Sequence, residues 1–85
     1  MSRQMVLEEA EARIRRVVLG FTPEARRALL KWIMAPEEAR AARAGQLYGL
    51  TDGASIAELL IDLEEDRQTA LMVADVLKDS LRERP

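Results

Sequence analysis

The side chains that most often do chemistry are missing from this chain, which has no histidine and no cysteine. That removes the commonest general base and every thiolate nucleophile or thiolate metal site. Nucleophilic catalysis would fall to Ser, Thr or Tyr48, activated by Lys31, Lys78 or a carboxylate. No spacing in the sequence sets up such a pair. Glu58, Asp62 and Asp66 follow one another at intervals of four, so neighbouring members share a helix face. Such carboxylates can attract a hard cation, but no further oxygen ligands stand at the loop spacing that a cation cage needs. A solvated acidic face is the expectation. There is no P-loop and no GxGxxG. The chain is therefore expected not to be an enzyme, and to have no catalytic residue, no cofactor and no metal.

What remains is charge, and it is unevenly placed. Residues 1–49 hold nine Lys/Arg against six Asp/Glu, a balance of +3, while residues 50–85 hold four against nine, a balance of −5. Such asymmetry can steer a partner onto one half, or let the two halves attract each other within a fold or a dimer. Candidate nucleic-acid contacts are Arg13, Arg15, Arg16, Arg26, Arg27 and Lys31. These do not share one helix face, and Glu9 with Arg13 and Glu11 with Arg15 form i,i+4 pairs in the favourable Glu-first order. A helix-turn-helix across residues 45–59 would use Ser55 through Leu63 for recognition. That segment offers a base edge almost no donors and carries carboxylates, whereas readout uses Arg, Lys, Asn or Gln.

The elements that must position these groups read as helices. Ser2 can cap a first helix over 3–19, whose stripe is Val6, Leu7, Ala10, Ile14, Val17 and Val18. Gly20 is expected to end it in the left-handed region. Thr22-Pro23-Glu24 restarts the chain with a cap, a proline at N1 and an acid against the positive helix end. The second helix, 23–35, buries Ala25, Ala28, Leu29, Trp32 and Ile33 on one side, and Pro36 stops it. A third helix over 36–48 is rich in alanine, so a neighbour can approach it closely. Gly45 weakens it and Gly49 is its expected C-cap.

The longest element runs from Ser55 to about residue 83, opening on the capping box Ser55-Ile56-Ala57-Glu58. Ile56, Leu59, Leu60, Leu63, Ala70, Leu71, Ala74, Leu77 and Leu81 give it one apolar stripe. The run Glu64-Glu65-Asp66-Arg67-Gln68-Thr69 can hide a turn, with Asp66 or Thr69 as second cap. It has no Gly or Pro, however, and the apolar phase continues across it, so one continuous helix is expected. Arg67 then falls in mid-stripe and should meet a carboxylate, with Glu64 nearest in sequence. The expected fold is a single all-α domain over 1–85, a small four-helix bundle with a long C-terminal helix.

Two stretches resemble known families. Val18-Leu19-Gly20-Phe21-Thr22-Pro23-Glu24 through Leu29-Leu30 resembles the segment that follows the winged helix in MerR-type regulators. The DNA-reading segment that precedes it in those proteins has no counterpart here, which leaves a junction where glycine stops one helix and threonine caps the next. Asp52 through Leu59, with Leu63-Glu64-Glu65, resembles the region around the modified serine of acyl carrier proteins. That serine falls on Gly53, which has no hydroxyl to modify, so carrier function does not transfer.

Ile61, Met72 and Val76 lie almost opposite the main stripe, and Leu30 and Met34 lie off the stripe of the second helix. These five are the candidate partner or dimer interface. The alternative is that helix 1 covers the second face within one chain. The functional expectation is a helical protein–protein interaction module. It would be a homodimer that regulates or inhibits a larger protein, in the manner of bacterial adaptors or phage- and plasmid-borne inhibitors. The alternative is a small DNA-binding transcriptional regulator or accessory protein using the basic half. No apolar run approaches a membrane span, and a cytoplasmic location is expected.

Overall fold

Five α-helices, rather than four, build the described residues: α1 (Arg3–Leu19), α2 (Pro23–Met34), α3 (Glu37–Leu50), α4 (Gly53–Glu65) and α5 (Arg67–Arg82). The computed structural model describes residues 3–82, without the side chains of residues 3–7, 10, 54 and 55. The Ser2 cap, the Val6, Leu7 and Ala10 part of the first stripe, and the Ser55 side chain lie outside the described residues. Among those residues there is no strand, and no helix is long and apolar enough to cross a membrane.

Local chemistry sets the first boundaries. Thr22 Oγ1 accepts the Ala25 amide at 3.2 Å and Pro23 occupies the first helical position, so two of the orphan donors of α2 are dealt with at once. Ala35 closes α2 in extended backbone (φ −74°, ψ 151°), the conformation that the following proline imposes. Gly20 does end α1, but not in the left-handed region, since no described glycine has positive φ. Its amide is instead shared between the carbonyls of Arg16 and Val17 at 3.1 and 3.2 Å, a tightened last turn that satisfies two carbonyls with one donor. Gly49 is likewise not a C-cap. The third helix runs on to Leu50, and Thr51 closes it by donating its hydroxyl to the Leu47 carbonyl at 2.7 Å.

The expected single helix over 55–83 is broken at Asp66. The amides of Gln68 and Thr69 turn to Asp66 Oδ1 at 3.1 and 3.2 Å, and the Thr69 hydroxyl donates to Oδ2 at 2.7 Å. Aspartate competes with the backbone for nearby amides, and here it wins. The amides that a continuous helix would bond to carbonyls one turn earlier now serve as the first turn of α5, with Asp66 as its N-cap. The continuous apolar phase persists on each side, but the two halves belong to different helices.

Packing centres on α5, which lies against α1, α2 and α4, while α3 bridges α2 and α4. Leu29, Trp32 and Ile33 of α2 share one buried cluster with Ile56, Leu59, Leu60 and Leu63 of α4 and Ala70, Val73, Ala74 and Leu77 of α5. Among the described side chains, Val18 is the buried member from α1 and Leu47 the one from α3.

Candidate functional site

The alanine pattern of α3 has a structural outcome. Because Ala41 and Ala44 on α3 face Ala57 and Leu60 on α4, no large side chain fills the space between these helices. An open groove of about 550 Å³ results. Trp32, buried at its base, is the chain's single tryptophan. Tyr48 and Ile61 form its rims and are 47% and 57% exposed. An isolated exposed apolar residue is ordinary. Two of them bordering a concave apolar surface make a place where a side chain or a helix can seat.

Charged residues stand around the groove. Arg40 Nε lies 3.3 Å from Glu64 Oε1, joining α3 to α4, and the guanidinium carbon sits 5.8 Å from the Trp32 ring centroid. The contact with Glu64 is an ion pair by distance without an aligned hydrogen bond, since Nε is buried and has no acceptor in bonding geometry. With Glu64 nearly half exposed, the attraction is worth at most about 1 kcal/mol. Glu37 and Glu65 also line the groove. Among the described residues neither forms an ion pair.

The five candidate interface residues are dispersed. Ile61 lines the groove, and Met34 is exposed at the end of α2. Leu30 and Met72 are half-buried and packed on the core. Val76 sits in a separate depression with Arg15, Leu19, Asp79 and Ser80. The break at Asp66 divides the line expected for Ile61, Met72 and Val76, leaving Ile61 on α4 and the other two on α5.

The basic candidates are dispersed as well. Arg13 lines a cleft with Glu58 and Asp62 of α4, and Arg15 lies beside Asp79. Arg26 is turned inward: its Nε donates to the Phe21 carbonyl at 3.1 Å and its terminal nitrogen to the Ser80 hydroxyl. Arg16, Arg27 and Lys31 are exposed. Arg67 is exposed too and, among the described residues, meets no carboxylate. Its guanidinium donates to the Ile33 carbonyl at 3.0 Å, in the last turn of α2, where a cation complements the negative helix end.

The acidic line Glu58, Asp62, Asp66 is also divided. Asp66 has become a cap, its carboxyl held below the ordinary range by the Thr69 hydroxyl first and then by the Thr69 and Gln68 amides. No group of three or more His, Cys, Asp or Glu able to hold a metal ion occurs among the described residues. Compared with protein-family models, curated proteins and solved structures, the chain matches none.

Proposed function

We propose that this chain is a non-enzymatic helical interaction module that regulates or inhibits a larger protein by receiving one of its helices in the α3–α4 groove. The observation that carries this reading is the groove itself, with its alanine floor and exposed Tyr48 and Ile61 rims. Small floor residues let a visiting backbone come close, and the apolar rims offer the contacts that a helix presents at i, i+3, i+4 and i+7. No second copy of the chain is needed to form the groove.

The test is site-specific photo-crosslinking in living source cells, with the reactive side chain placed at Ile61 or at exposed Lys78 on α5. A discrete heteromeric adduct is expected from position 61 alone. It should vanish when Ala41, an exposed floor position, is replaced by phenylalanine to fill the groove. Equal adducts from both positions, or none from position 61, would remove the reading.

A further inference from the structure

We infer that the occupant of the groove is a basic amphipathic helix of another protein, rather than a second copy of this chain. The inference rests on the docking reading above and adds the partner's chemistry. Three carboxylates, Glu37, Glu64 and Glu65, and one cation, Arg40, line the groove. Glu64 is the carboxylate that Arg40 engages, and Glu37 and Glu65 form no ion pair among the described residues. The rim therefore holds an uncompensated charge of −2 beside an apolar surface. Low-dielectric walls focus such a field outward, raising the local concentration and on-rate of cationic segments.

The same charge argues against self-association at this surface. A two-fold interface sets each patch against itself. Glu37 and Glu65 of one copy would then meet their own counterparts, and like charges brought together at an interface are unfavourable. A lysine- or arginine-flanked helix meets the reverse condition. Its apolar residues enter between Tyr48 and Ile61, and its cations reach the two free glutamates.

The probe is a synthetic helical peptide without tryptophan, carrying leucine at i, i+3, i+4 and i+7 with lysines flanking that stripe. Its control has glutamates in place of the lysines. Binding is read from the emission of Trp32 at the groove base. Saturable binding of the lysine peptide is expected, at least roughly tenfold tighter than the glutamate peptide and weakened by salt. Glu37→Gln with Glu65→Gln should weaken it several-fold with helicity unchanged. Ala41→Phe and, separately, Ile61→Glu should reduce the emission response, each variant being checked for retained helix by circular dichroism. Equal affinity for the two peptides, indifference to the glutamine pair, or no saturable binding overturns the inference. So does self-association of the wild-type chain, seen by analytical ultracentrifugation, that Ala41→Phe abolishes. If the position-61 adduct forms while the lysine peptide fails, the groove remains a docking surface and only the partner's chemistry is wrong. If both fail, both readings fall.

Discussion

Asp66 and Thr69 form a closed pair at the α4–α5 junction: the carboxylate accepts both the amide and the hydroxyl of Thr69 through its two oxygens. This is where a continuous helical pattern becomes two helices, and it controls which way Arg67 and everything beyond it faces.

The junction makes a pH-dependent prediction. Asp66 has its carboxyl lowered from 3.8 in the folded state, so the unfolded chain binds its proton more readily. Its contribution to stability is fully present above the ordinary carboxylate value and is lost as pH falls through the lowered folded value. Asp66→Asn keeps a capping side chain but not the titration. In urea denaturation the wild type should be the more stable at pH 7, with the gap closing as pH falls below about 4. A gap independent of pH would contradict the assignment.

The contact of Arg67 with the Ile33 carbonyl is exposed and so modest in energy. Arg67→Ala should lower stability by less than about 1 kcal/mol, with Arg67→Lys recovering part of that loss. A cost of about 3 kcal/mol or more would point instead to a buried charge pair.

Gly45 and Gly49 lie inside α3, have no positive φ, and an added Cβ would meet nothing within 4 Å. Glycine costs up to about 1 kcal/mol against alanine in a helix interior. Gly45→Ala and Gly49→Ala should each raise the thermal midpoint, by roughly 4–8 °C per kcal/mol gained in a domain of this size. A fall at either position would show that α3 needs flexibility or a close approach there.

Leu47 is fully buried and is the core member that α3 contributes. Leu47→Ala should cost about 2–5 kcal/mol. Hydrogen exchange should then accelerate first in α3, because the helix keeps little other buried apolar contact. Uniform acceleration across all helices would mean that α3 unfolds together with the rest.

Boundaries marked by local chemistry were legible in the sequence: α1 spans Arg3–Leu19 as its periodicity predicts, and Thr22-Pro23 and Pro36 bracket α2. The Asp66 break was harder because two local signals disagreed. The apolar phase argued for continuity, while an aspartate three residues before a threonine argued for a cap, and the cap's local hydrogen bonds prevail. The alanines of α3 announced close helix packing, and α3 does pack on α2 and α4, with an open groove beside Ala41 and Ala44. That groove depends on the distance between α3 and α4, which no periodicity encodes. The Arg40–Glu64 pair spans those two helices and was invisible for the same reason.

The most direct measurement is amide NMR of the isotopically labelled chain during titration with the lysine-flanked helical peptide. Shift changes should saturate and concentrate at Ala41, Ala44, Tyr48, Ala57 and Ile61, with the Trp32 indole following, while Val76, Asp79 and Ser80 stay still. Changes centred on the Val76 depression or on the exposed arginines, with the α3–α4 residues unmoved, would contradict the account.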